Sequence, residues 1–121
     1  MKFDHLTLPV ANWERSRDWY VGRLGLRLEF EIPERSTAAV QDEDGFTLFL
    51  QQSDKALQPA GVALYFSSVD VEATYDKLAA AGLAFIHPPQ RTFWGYGAEL
   101  VDPDGYAIRL WDQRSMEERG S

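Results

Sequence analysis

Asp102-Pro103-Asp104-Gly105-Tyr106-Ala107-Ile108-Arg109-Leu110 is the second appearance of a pattern first met at Asp42-Glu43-Asp44-Gly45-Phe46-Thr47-Leu48-Phe49-Leu50. In both copies an acidic lead-in reaches an Asp-Gly pair, the strongest short-range signal for a tight turn between strands. An aromatic residue then opens a run with period-two alternation, as a strand with one buried face requires. The sequence upstream of each copy agrees. His5-Leu6-Thr7-Leu8-Pro9-Val10-Ala11-Asn12 is echoed by Ala63-Leu64-Tyr65-Phe66-Ser67-Ser68-Val69-Asp70, and Asn12 and Asp70 are good helix N-caps. Leu24-Gly25-Leu26 and Ala81-Gly82-Leu83 close the stretches that follow, with the glycine that suits a left-handed turn after a helix. The copies are offset by 58 residues at the first strand, 57 at the glycine and 60 at the turn, a drift that small loop changes explain.

Each half therefore reads strand, helix, strand, strand, strand. Trp13, Tyr20 and Leu24 fall near one helical face, as do Val71, Tyr75 and Leu78. The expected organisation is one domain over residues 1–121. Module one takes 1–53, a linker 54–61, module two 62–112, and a frayed polar tail 113–121. His87, before Pro88-Pro89, reads as a solvated loop histidine.

Composition narrows the function classes. A chain of 121 residues is long enough to bury a real core, and 45 % hydrophobic with 26 % charged residues is ordinary globular composition. The absence of cysteine excludes disulfides, thiolate nucleophiles and cysteine metal sites. Twelve basic against nineteen acidic side chains leave a net charge of −7, which opposes nucleic-acid binding. No run approaches the ~18 apolar residues of a membrane span, so no membrane partner is expected. The chain starts on strand-like sequence without a basic-then-apolar leader, so the expected location is the cytoplasm. No Ser–His–Asp arrangement, phosphate loop or nucleotide fingerprint is present.

The duplicated pattern resembles the paired βαβββ modules of the vicinal-oxygen-chelate superfamily, the glyoxalase, bleomycin-resistance and dioxygenase group. The resemblance covers roughly residues 1 to 112. It is carried by His5, by Trp19-Tyr20 running into Leu24-Gly25-Leu26, and by Trp94-Gly95 leading to Asp102-Pro103-Asp104-Gly105-Tyr106 and Leu110. It implies an α+β fold: two tandem βαβββ modules forming a curled mixed sheet, with helices outside and a ligand cleft on the inner face. It implies a homodimer as well, with modules exchanged or unexchanged.

Strand parity then sorts the side chains. Leu6, Leu8 and Val10 form one apolar set, matched by Leu48 and Leu50, by Val62, Leu64 and Phe66, and by Ile108 and Leu110. These belong under the helices. The opposite parity faces the cleft: Phe3, His5 and Thr7; Thr47, Phe49 and Gln51; Ala63, Tyr65 and Ser67; Ala107, Arg109 and Trp111. Aromatic rings mixed with a few polar groups make an organic-ligand pocket. In similar members the aromatic-glycine segment also lines the cleft, which adds Trp94 and Tyr96 from Thr92-Phe93-Trp94-Gly95-Tyr96-Gly97.

The four metal-ligand positions implied by the resemblance hold His5, Phe49, Ala63 and Arg109, and only His5 offers a lone pair to a cation. The reading is therefore a metal-independent protein without cofactor, binding a small organic molecule through His5, Phe49, Tyr65, Trp94, Tyr96, Arg109 and Trp111. His5 is also the one candidate for proton transfer. The alternative is a metal-dependent lyase, isomerase or dioxygenase of the same superfamily. Glu29 and Glu31 alternate with Leu28, Phe30 and Ile32, so they are expected to share one face. That face is either solvent or the cleft, where they would partner Arg109; a buried guanidinium needs a carboxylate or a bound anion.

Overall fold

The computed structural model describes residues 1–121. The chain divides into two compact units, Met1–Leu57 and Gln58–Ser121, each built on one βαβββ module. The first runs β1 (His5–Val10), α1 (Trp13–Asp18), β2 (Arg27–Ile32), β3 (Thr37–Gln41) and β4 (Thr47–Gln52). The second runs β5 (Ala63–Ser68), α2 (Val71–Ala80), β6 (Phe85–Thr92), β7 (Gly95–Val101) and β8 (Ala107–Asp112). Each makes its own four-stranded mixed sheet, with strand orders β1-β4-β3-β2 and β5-β8-β7-β6. First and last strands pair in parallel, from His5↔Thr47 to Val10↔Gln52 and from Ala63↔Ala107 to Ser68↔Asp112. This is the α+β architecture expected from the duplicated sequence.

The same devices position the elements in both units. Asn12 and Asp70 cap their helices through the N–H groups of Arg15 and Ala73, at 2.9 and 3.1 Å. The orphan N–H of each helix's first residue goes to the end of the last strand. Trp13 donates to Gln52 Oε1 at 3.2 Å, and Val71 donates to Asp112 Oδ2 at 2.6 Å. The turns before β4 and β8 are also alike. Asp42 Oδ1 accepts from the N–H groups of Asp44 and Phe46, and Asp102 Oδ1 from those of Asp104 and Tyr106, all at 2.9 Å. Gly45 and Gly105 follow at φ +88° and +91°, where a side chain would be strained.

Parity places most of the cores correctly. Leu8, Val10, Leu48 and Leu50 are buried in the first unit, with Ala38 and Val40; Ile108 and Leu110 are buried in the second, with Ala98 and Leu100. Val71 and Leu78 of α2 and Tyr20 after α1 are buried too. Leu6 departs from its set and is exposed, and Val62, Leu64 and Phe66 are only half-buried. Residues Trp19–Arg23 continue α1 as a π-helical turn, which keeps Tyr20 fully buried.

Three expectations are corrected here. The segment read as a frayed tail forms α3 (Gln113–Arg119). Asp112 caps it, accepting the Ser115 N–H at 2.6 Å and its hydroxyl at 3.1 Å. Met116 lies against Gly95, and its sulfur accepts the Tyr96 N–H at 3.3 Å. His87 lies in β6, opposite Glu99 of β7, and not in a loop. Glu29 and Glu31 do not share a face, because the β2 register shifts between Leu28 and Phe30. Glu29 accepts from the Thr47 hydroxyl at 3.0 Å, whereas Glu31 pairs with Arg17 of α1 at 2.8 Å. A bulge breaks alternation by one residue, and no composition signal announces it.

Asp112 ties β8 to both α2 and α3. Burial pushes its carboxyl upward, but hydrogen bonds from the Val71 and Ser115 backbone and the Ser115 hydroxyl outweigh that and hold it below the ordinary value. A depressed carboxyl contributes stability that is present above its unfolded value of about 4 and lost as pH falls through the folded one. Asp112→Ala is expected to lower the unfolding free energy by about 2–4 kcal/mol at neutral pH. Urea titrations of both proteins check this, and the gap between them is expected to narrow as pH drops below about 4.

Candidate functional site

The inner face of the second unit concentrates the chemistry. In β8 the buried Ile108, Leu110 and Asp112 alternate with the half-exposed Ala107, Arg109 and Trp111. The register then lines up Tyr65 of β5, Arg109 of β8, Glu99 of β7 and His87 of β6 across the sheet. Residues directly opposite in a sheet share a face.

Arg109 is the centre of this row. Its Nε donates to Glu99 Oε1 at 2.8 Å, with both side chains less than a fifth exposed. Its Nη1 donates to the Tyr65 hydroxyl. Three rings surround the guanidinium carbon, with centroids at 5.3 Å for Tyr65, 5.1 Å for Phe93 and 5.7 Å for Trp94. Each such cation–π contact is worth about 0.5–1 kcal/mol. Burial works against the charge on Arg109, but the hydrogen bonds to Glu99 and Tyr65 prevail and raise its pKa above the ordinary arginine value. Tyr65 and Trp94 meet edge to face at 5.5 Å.

Beside this group lies a cavity of about 440 Å3, lined by Gly61, Ala63, Ala107, Phe93, Glu99 and Arg109 among others. That is within the ordinary size range of small-molecule sites. The small side chains at 63 and 107 leave the space open. Residues 59–61, read in the sequence as linker, form a helical turn that lines the same cavity.

The structure separates the sequence-selected residues. Tyr65, Trp94 and Arg109 come together as described. His5 and Phe49 meet in the first unit, their rings stacked at 3.9 Å with 18° between planes, and His5 Nδ1 lies 2.7 Å from Asp4 Oδ2. Tyr96 belongs elsewhere. It is buried, its hydroxyl donates to Glu72 of α2 at 2.8 Å, and that oxygen accepts from Arg119 of α3 at 3.1 Å. Parity along β7 carried this signal, since Tyr96 shares its phase with Ala98 and Leu100. Trp111 stands two residues beyond Arg109 on β8, opposite Ser67, and remains half-buried.

Sequence reasoning missed Phe93 and did not pair Glu99 with Arg109. The two-residue phase between Glu99 and Val101 would have placed Glu99 on the inner face.

The metal implied by the superfamily can be tested against the donors present. His5 is stacked on Phe49 with one nitrogen tied to Asp4, Ala63 lines the cavity, and Arg109 is paired with Glu99. No three His, Cys, Asp or Glu side chains gather in a group able to hold a metal ion. These residues do not fit a divalent cation, which needs several oxygen, nitrogen or sulfur donors converging on one point.

Fold and site together define a paired-module scaffold with a ligand-sized hollow beside an aromatic-flanked arginine. Residues 2–110 match the Glyoxalase/Bleomycin resistance protein/Dioxygenase superfamily, and the chain belongs to it. An uncharacterised protein of Shewanella frigidimarina (strain NCIMB 400) is 27 % identical, the match covering 95 % of this chain and 93 % of that one. Among solved structures, the antibiotic-binding protein TnmS3 from Streptomyces sp. CB03234 superposes with a TM-score of 0.76 at 27 % identity, covering 93 % of this chain and 96 % of that one. A superfamily member from Sphaerobacter thermophilus DSM 20745 gives a TM-score of 0.76 at 23 % identity, covering 93 % and 98 %, and shares the fold.

Trp94 owes its position to Gly97. A Cβ there would collide with the Leu110 carbonyl oxygen and lie 2.5 Å from Cη2 of Trp94. Gly97→Ala is expected to destabilise the protein by about 1–3 kcal/mol, the usual cost of overpacking. It should also displace the indole, seen as a shifted tryptophan emission maximum that a Gly22→Ala control, with open space at its Cβ, does not show.

Proposed function

We propose that this chain is a metal-independent binding protein that holds a small organic molecule in an aromatic cleft. The observation that carries the reading is Arg109, set among Tyr65, Phe93 and Trp94 beside a cavity of about 440 Å3. Flat rings offer contact area at low entropic cost, and a guanidinium adds orientation. The antibiotic-binding relative supports a role of this kind, drug sequestration included. Metal independence is supported by the donor set, since His5 is alone among the four positions in offering a lone pair.

The proposal includes a homodimer acting in the cytoplasm, with no nucleic-acid partner. Net charge −7 supports the last point, and no helix is long and apolar enough to cross a membrane. His5, Phe49 and Trp111 remain proposed contacts of the ligand, and Tyr96 is withdrawn because it binds α2 and α3.

Elemental analysis after equilibration with Mn, Ni, Zn and Fe(II) tests the reading, together with a fragment screen read by tryptophan emission. The expected results are less than about a tenth of an equivalent of metal per chain and aromatic hits lost in Arg109→Met. Near-stoichiometric metal that disappears in His5→Ala would replace this reading with the metal-dependent enzyme.

A further inference from the structure

The ion pair at the cavity is closed at one end and open at the other. Arg109 Nε meets Glu99 Oε1, and Nη1 meets Tyr65. Nη2 of Arg109 and Oε2 of Glu99 have no hydrogen-bond partner within the protein, and both residues line the cavity. A free donor therefore stands beside a free acceptor, and their formal charges cancel.

We infer that the ligand of this site is an uncharged aromatic molecule carrying a hydrogen-bond acceptor next to a donor, as an amide or a hydroxy-carbonyl does. The inference rests on the binding reading above and adds the ligand's chemical class. Such a group accepts from Nη2 and donates to Oε2 at once, while its ring system lies against Phe93, the aromatic side chain that lines the cavity. A carboxylate satisfies Nη2 but confronts the lone pairs of Oε2. An ammonium satisfies Oε2 but sits against the guanidinium. Both charged groups also lose hydration on entering a partly closed site, with no net charge there to compensate. The arginine accordingly does not select anions, and the acidic surface of the chain does not select the cation at this position.

The test compares three ligands of one shape: naphthalene-carboxamide, naphthalene-carboxylate and naphthyl-methylammonium, titrated calorimetrically into the full chain. The carboxamide is expected to bind at least about ten-fold more tightly than either charged congener. Its Kd should change less than about two-fold between about 20 and about 500 mM salt. Glu99→Gln keeps the side-chain shape but leaves the guanidinium charge unbalanced, and should reverse the order in favour of the carboxylate. Circular dichroism establishes that this variant is folded, and the salt series on the unaltered chain decides the matter if it is not. Tighter binding of the carboxylate or the ammonium to the unaltered chain would overturn the inference while leaving the binding reading in place. Binding of none of the three would overturn both.

Discussion

Everything in each unit depends on the last strand returning parallel to the first and reaching the start of the helix. Gln52 and Asp112 end β4 and β8, and each accepts the N–H of its helix's first residue. A helix start left without partners would carry an appreciable desolvation cost. Satisfying it from the sheet holds one helix against one face. The other face keeps its side chains free of helical cover, and alternation along the strands then decides what is displayed there. Arg109, Tyr65 and Glu99 are displayed because Ile108, Leu110, Ala98 and Leu100 must be buried.

The two copies have diverged on that inner face and agree in strand order, helix caps and turns. The first unit shows His5 stacked on Phe49 and a hydrogen-bonded run from Arg27 through Gln41 and Thr47 to Glu29. The second shows a guanidinium among three rings, and small residues at 63 and 107 that leave a cavity. Turns and helix caps, which the fold requires, match position for position, with Asn12 answering Asp70 and Gln52 answering Asp112. The inner-face positions, which it does not require, have been free to take on different chemistry.

What could be read from the chain follows the same division. Asn12 and Asp70, Gly45 and Gly105, and the alternation around Leu48 and Ile108 act locally, so their spacing announced the duplicated module. The bulge at Glu29 depends on how β2 meets β3. The Glu99–Arg109 pair depends on the β7–β8 register, and the α3 helix on Met116 finding Gly95. These are tertiary events, and a polar segment such as Gln113–Arg119 carries little local sign of them. Tyr96 was misplaced for a different reason: its aromatic-glycine segment was assigned whole to the cleft, when counting back from Leu100 would have set it in phase with the buried Ala98.

The central claim is that the inner face of the second unit holds a ligand at Arg109. Its most direct test is a 15N–1H correlation spectrum of the labelled chain during titration with naphthalene-carboxamide. The account predicts shifts concentrated at Ala63, Phe93, Trp94, Glu99, Ala107 and the Arg109 side chain. Shifts confined to the His5–Phe49 face, or to α2 and α3, would contradict it.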